Sequence, residues 1–171
     1  MVKFMTGLTA VAAVALLSTP AFAGIAPNGS LTLGGTLDLK QGITINGCPV
    51  NTIPVTVTAG VGTTTASPLP YALCSSGLGS NVKLQSQWTI SSTGANALLI
   101  SGIRIKSITG ECGQAGDDSV TATYDPTPST GFPNGKITIP VQTIWGKSSL
   151  GFVVRCELKG FVSPSVALTI T

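Results

Sequence analysis

The chain has 171 residues with nine Lys or Arg, six Asp or Glu and no His, which gives a formal net charge of +3 at pH 7. Only 9% of the residues are charged and no basic run occurs, so the sequence gives no sign of a nucleic-acid or anionic-membrane surface. The absence of His excludes Ser-His-Asp and Cys-His catalytic sites and every zinc site that uses His.

The N-terminus has the pattern of a removable signal peptide at residues 1–23. Lys3 precedes an apolar run at residues 8–17, and Ala21-Phe22-Ala23 forms a cleavage site. A retained anchor helix is the alternative, but the run is shorter than the roughly 20 apolar residues that a membrane span needs. We therefore expect an exported mature chain at 24–171 with no stable membrane span.

The first segment of the mature chain alternates apolar and polar residues at positions 30–40. Its apolar positions are Leu31, Leu33, Leu37 and Leu39, and residues 24–29 form a short, flexible lead. One interpretation is an ordinary first strand of the sheet. The other is a mobile strand, 24–40, that completes a neighbouring subunit by donor-strand complementation.

Period-2 alternation continues through the chain and predicts half-buried strands. The predicted inward-facing sets are Ile53, Val55 and Val57; Val82, Leu84, Trp88 and Ile90; Ile103 and Ile105; Val120, Ala122 and Tyr124; Ile137, Ile139 and Val141; and Phe152, Val154, Cys156 and Leu158. Pro140 predicts an edge strand or a bulge. With Gly- and Pro-containing turns between these runs, the sequence indicates one all-β domain, an antiparallel β-sandwich of Ig-like or pilin-like type containing disulfides.

The last segment alternates Val166, Leu168 and Ile170. A strand at this position is either an internal edge or an exposed pairing surface. Together with the Leu31–Leu39 segment, it makes self-association through strand pairing the expected mode of assembly.

Four cysteines in an exported chain indicate two disulfides. Cys48, Cys74, Cys112 and Cys156 allow three connectivities, which the sequence does not separate. We favour Cys48–Cys74 and Cys112–Cys156, because each bond then closes a loop of moderate length within one half of the chain.

We expect no catalytic, cofactor-binding or metal-binding residues. The densest acidic segment runs from Glu111 to Asp118, where a calcium site is conceivable, but its spacing matches no EF-hand. Asp125 precedes Pro126 and predicts a turn, while Glu157 is expected on the surface beside Arg155. The chain is therefore not expected to be an enzyme.

Two aromatic residues have specific expectations. Trp88 is in phase with an apolar face and is expected in the core. Phe132 lies in a Pro-rich loop and is the best candidate for an exposed contact.

The order of several short motifs resembles the PraB-like "activator of alkane oxidation" proteins. The motifs are Ile43-Thr44-Ile45-Asn46-Gly47-Cys48, Leu73-Cys74-Ser75, Gln87-Trp88-Thr89-Ile90, Ile100-Ser101-Gly102-Ile103, Gly110-Glu111-Cys112-Gly113, Val120-Thr121-Ala122-Thr123-Tyr124 and a late Cys156 ahead of Gly160. The chain departs from the pattern at Gln87, where Leu-Pro usually precedes the Trp, and in its own Pro-rich stretch at 125–145. The resemblance implies a small exported protein of a Gram-negative bacterium, associated with the extracellular matrix and with growth on alkanes, and it supplies no catalytic residues.

These observations favour a non-enzymatic structural protein of the cell surface or extracellular matrix, which passes the periplasm in transit and assembles into fibres that support biofilm or growth on alkanes. The alternative is a secreted module that binds an apolar or lipid-like ligand and aids hydrocarbon uptake. It needs an open apolar cavity, lined by residues such as Ile103, Ile105, Phe152 and Val154. A secreted enzyme or an enzyme inhibitor is a third, less favoured interpretation.

Overall fold

A computed structural model describes residues 23–64, 72–73, 81–107, 109–113 and 118–171. The signal peptide predicted for residues 1–23 lies outside this part of the chain except for Ala23, and it stays a prediction. Cys74 and the Cys48–Cys74 bond predicted for it also lie outside the described residues.

The described residues form strands joined by turns, with no helix among them, as the alternation predicts. The strands are β1 (Ile25–Ala26), β2 (Gly29–Gln41), β3 (Ile43–Thr58), β4 (Val61–Thr64), β5 (Ala72–Leu73), β6 (Asn81–Leu84), β7 (Thr89–Gly94), β8 (Ala97–Ser101), β9 (Ile105–Ser107), β10 (Gly110–Cys112), β11 (Ser119–Asp125), β12 (Lys136–Ser148), β13 (Val153–Pro164) and β14 (Thr169–Ile170). These described ranges contain no helix that is long and apolar enough to cross a membrane.

Eight of these strands close into a ring. Their order is β11-β8-β7-β4-β3-β2-β13-β12, and β12 pairs back onto β11 through Thr123↔Thr138, Tyr124↔Ile137 and Asp125↔Lys136. Every pairing in the ring is antiparallel. The architecture is therefore a closed barrel.

The expected all-β class and antiparallel pairing are confirmed, but the expected sandwich of two separate sheets is wrong. Alternation along a strand identifies which side chains share a face, but not which strands are neighbours. The closure depends on one short pairing between β11 and β12, which nothing in the alternation reveals.

Two smaller elements extend the barrel. The far half of β12 pairs with β10, and the order continues through β9 and β6 to β5, so β12 serves both the ring and this side branch. Strands β1 and β14 form a separate two-stranded ribbon through Ile25↔Ile170 and Ala26↔Thr169.

Strand β2 is an interior strand of the ring. It pairs with β13 along one edge and with β3 along the other, and its residues Leu31, Leu33, Leu37 and Leu39 are all buried. β2 therefore lies where the first interpretation placed this segment, as an ordinary strand of the chain's own sheet. At the C-terminus, Leu168 and Ile170 are buried and Val166 is partly exposed, and the only strand there is the short β14.

The barrel interior is filled by apolar side chains from seven of the eight ring strands, and β4 contributes Gly62 and Thr64. Trp88, predicted to be a core residue, is 3% exposed, and Ile103 and Ile105 are fully enclosed in the same core. At the edge of the barrel, Asp125 begins the predicted turn: its Oδ1 accepts a hydrogen bond from the Thr127 backbone N–H at 2.9 Å. That bond lowers the pKa of the Asp125 carboxyl below its usual value.

Pro140 marks a bulge in β12, as predicted. The register with β13 shifts between Ile139 and Gln142. Ile137 and Ile139 face the core before the bulge, whereas Ile144 and Gly146 do so after it. Val141, predicted to face inward, is instead exposed because the extra residue changes which positions point to the core.

Candidate functional site

The hairpin that joins β12 to β13 has a tight, well-defined turn. The Ser148 N–H donates to the Phe152 carbonyl at 2.8 Å, and the Gly151 N–H donates to the Ser148 carbonyl at 2.9 Å. Gly151 has a φ of 85°, in the left-handed region. This is the pattern of a three-residue hairpin loop that ends in a left-handed glycine.

The turn and the adjoining strand ends present a group of exposed apolar side chains, which we call the hairpin tip. It consists of Trp145, Leu150, Phe152 and Val153, whose exposed fractions are 54%, 80%, 68% and 65%. Trp145 lies opposite Arg155 and Val153 lies opposite Lys147, so Trp145, Val153, Arg155 and Lys147 share the outward face of the hairpin. Large apolar side chains at such exposure on a folded domain mark a contact surface.

Hydrogen bonds fix the base of this hairpin to the body of the protein. The buried Gln41, at the end of β2, donates from Nε2 to the Lys147 carbonyl at 3.0 Å. Its Oε1 accepts a hydrogen bond from Thr109 Oγ1 at 2.8 Å, and the Ser149 N–H donates to the Thr109 carbonyl at 2.9 Å. The tip is therefore attached to two other elements, β2 and the β9–β10 turn.

A disulfide adds a covalent attachment. Cys112 of β10 and Cys156 of β13 form the predicted bond, and both are completely buried. The bond passes Gly146 of β12, where a Cβ would lie 3.0 Å from the Cys156 sulfur and would collide with the Glu111 carbonyl. Glycine at this position lets three strands approach beneath the tip. Cys48 is also disulfide-bonded.

The sequence predicted the aromatic contacts poorly. Phe132, the expected exposed contact, is half-buried and packs edge-on against Phe161 with ring centroids 5.3 Å apart. Lys136 Nζ lies 5.1 Å from the centroid of the Phe132 ring and 4.9 Å from that of Phe161. Phe152, expected inside, is exposed because it belongs to the turn and not to β13.

No position in the fold was predicted for Trp145, although the sequence contains a signal for its exposure. The Pro140 bulge reverses the inward parity of β12, which places Trp145 outside. Combining the predicted bulge with the alternation would have found it.

The side chains expected to line a ligand cavity differ in their burial within the described part of the chain. Ile103 and Ile105 are core residues, Val154 is half-buried and Phe152 is exposed. A small apolar void does lie inside the barrel, near Leu33, Val55 and Leu98, but its volume is about 10 Å³. That is at the lower limit for holding a single water molecule and far below what an alkyl chain needs.

Three acidic residues, Asp38, Glu111 and Glu157, form ion pairs with lysine or arginine side chains. Glu111 pairs with Arg104, and Asp117 of the conceivable calcium segment lies outside the described residues. Glu157 is partly exposed, as expected, and its carboxylate lies 3.4 Å from Lys40 Nζ and 3.7 Å from an Arg155 nitrogen. In the described part of the chain, no group of three His, Cys, Asp or Glu side chains has the geometry of a metal site.

Comparison with known proteins identifies the family of the chain. A family model described as "Alkane oxidation protein activator PraA/PraB-like" matches residues 1–171, the whole chain. No curated protein and no solved structure matches it.

Proposed function

Because the chain belongs to the PraA/PraB-like family of alkane oxidation protein activators, we propose that it is an exported, non-enzymatic protein of the cell surface or extracellular matrix that supports growth on alkanes. In this proposal the hairpin tip contacts the boundary between hydrocarbon and water. The observation that carries it is the exposure of Trp145, Leu150, Phe152 and Val153 on one anchored hairpin.

The energetics favour adsorption of this tip to a hydrocarbon surface. Complete transfer of a large apolar side chain from water to an apolar phase contributes about 1.5–3 kcal/mol. The four tip side chains are each more than half exposed, so most of that contribution is still available. Since the hairpin is already held by hydrogen bonds and a disulfide, little conformational entropy is lost on adsorption.

The packed interior supports a surface mechanism over ligand carriage. A void of about 10 Å³ does not hold a hydrocarbon chain, and enlarging it requires separating core side chains such as Leu33 and Leu98. Contact with hydrocarbon at the tip requires no such rearrangement.

The test compares the wild-type protein with a triple variant, Trp145→Gln, Leu150→Gln and Phe152→Gln, for depletion from water by hexadecane droplets. The control is Val61→Gln with Val166→Gln, two partly exposed apolar residues away from the tip. We expect the triple variant to adsorb at least about tenfold more weakly, since it loses several kcal/mol of apolar transfer, and the control to adsorb as the wild type does. Undiminished adsorption of a folded triple variant would refute the proposal.

Fibre formation and a role in biofilm are further parts of this proposal. Both edges of β2 are already paired within the chain, so donation of this strand to another copy requires opening the ring. We therefore propose that assembly uses side-chain contacts such as those of the tip. Filaments and SDS-resistant ladders in unboiled samples are the readout: their loss in the triple variant supports this mode, and their persistence contradicts it.

A further inference from the structure

Strand pairing brings together lysines that are widely separated in the sequence. Cα partners run across four strands as Lys83↔Lys106 between β6 and β9, Lys106↔Glu111 between β9 and β10, and Glu111↔Lys147 between β10 and β12. Directly opposite residues project from the same face of a sheet. We call Lys83, Lys106 and Lys147 the basic row.

The basic row continues directly into the hairpin tip. Lys147 is the cross-strand partner of Val153, and Trp145 is two residues before Lys147 on the same strand. With about 4.8 Å between neighbouring strands, the row extends roughly 14 Å from Lys83 to Lys147. A line of positive charge thus borders the exposed apolar group.

Two lysines of the row, Lys106 and Lys147, keep their positive charge unpaired among the described residues. The carboxylate of Glu111, which lies between Lys106 and Lys147, is paired with Arg104. Lys106 and Lys147 are exposed and form no ion pair within the described residues. By contrast, Lys40 and Lys159 on the barrel wall are paired with Glu157 and Asp38.

We propose that the hairpin tip and the basic row form one docking surface for a lipid layer with anionic headgroups. Trp145, Leu150 and Phe152 enter the acyl region, and Lys106 and Lys147 contact the headgroup charges. Apolar and aromatic side chains bordered by lysines are the chemistry that binds such an interface. This inference rests on the proposed function, because it uses the same tip and names the surface that the tip prefers.

A symmetric dimer through the tip fits this surface less well than a lipid layer does, whereas the fibre contact proposed above places the tip against a different face of the next copy. A symmetric contact through the tip brings the basic row of one copy near that of the other, and like charges oppose that approach. An anionic layer meets both parts of the surface with the matching chemistry.

The experiment measures sedimentation of the purified protein with vesicles of phosphatidylcholine alone or mixed with phosphatidylglycerol. We expect tighter binding to the anionic vesicles, and loss of that preference at about 1 M salt, where charge interactions reach only about 3 Å. The variant Lys106→Gln with Lys147→Gln should bind anionic vesicles more weakly, by about fivefold for each lysine removed.

The matched control is Lys40→Gln with Lys159→Gln, which removes the same charge from ion pairs on the barrel wall. It should bind anionic vesicles much as the wild type does. Equal binding to both vesicle types, or equal loss in the two double variants, overturns the inference, as does a dimer formed through the tip in place of vesicle binding. These outcomes leave the proposed function intact, which fails only if the triple variant of Trp145, Leu150 and Phe152 adsorbs to bare hexadecane as strongly as the wild type does.

Discussion

A single residue, Pro140, decides which side chains of β12 reach the solvent. Proline has no N–H to donate to a ladder, and here it lies in a bulge between Ile139 and Gln142. The extra residue makes even-numbered positions face the core after the bulge, so Ile144 is buried and Trp145 is exposed. The aromatic part of the candidate site follows from this change of parity.

Two leucines provide a residue-level test of these assignments. Leu39→Ala should lower the free energy of unfolding by about 2–5 kcal/mol, because it leaves a cavity in the core. Leu150→Ala, at an exposed turn position, should change it by about 0.5 kcal/mol or less. Urea unfolding measures both. Similar small shifts for the two variants would contradict the burial of β2 and would favour a mobile strand.

Among the secondary-structure elements, the β12–β13 hairpin is unusual in being apolar outside and firmly attached at its base. Gln41 connects it to β2 and the disulfide connects β13 to β10. An exposed apolar segment without such attachments could fold back onto the core surface. The attachments therefore keep the tip in contact with solvent and available for binding.

Removing the disulfide tests the attachment. Cys112→Ala with Cys156→Ala should destabilise the domain by about 2–4 kcal/mol, because the bond closes a loop between residues 44 apart in sequence. Amide exchange should accelerate most at residues 144–148 and 153–156, next to the missing bond. Exchange in the β7–β8 hairpin is the internal control. Uniform acceleration in both hairpins would show that the bond has no special role at the tip.

The sequence predicted the elements better than their arrangement. Alternation identified β2, β11 and the start of β12 because each has one apolar face, and Pro140 correctly indicated a bulge. The alternation failed at Phe152, where an apolar turn residue continued the pattern of the following strand. The basic row could not be predicted from the sequence either, because Lys83, Lys106 and Lys147 become neighbours only through strand pairing.

At the scale of the whole molecule, ring closure limits the ways in which copies of the chain can associate. In an open sandwich, a terminal strand can leave one edge and be replaced by a neighbour's strand. In this barrel β2 pairs with both β3 and β13, so removing it breaks the hydrogen-bonded pairing along both of its edges. The described ring is therefore closed within one chain, and we expect association between copies to be a contact between folded surfaces.

A complete subunit should unfold without dependence on protein concentration. We expect the urea midpoint of the wild-type protein to stay constant over about a hundredfold range of low protein concentration, because mass action affects only a fold that needs a partner. The hexadecane-deficient variant, Trp145→Gln with Leu150→Gln and Phe152→Gln, is the control for any association through the tip and should have an equally constant midpoint. A midpoint that rises with concentration in both proteins would show that strands are exchanged between copies, and β2, with its buried Leu31–Leu39 face, would then be the donated strand.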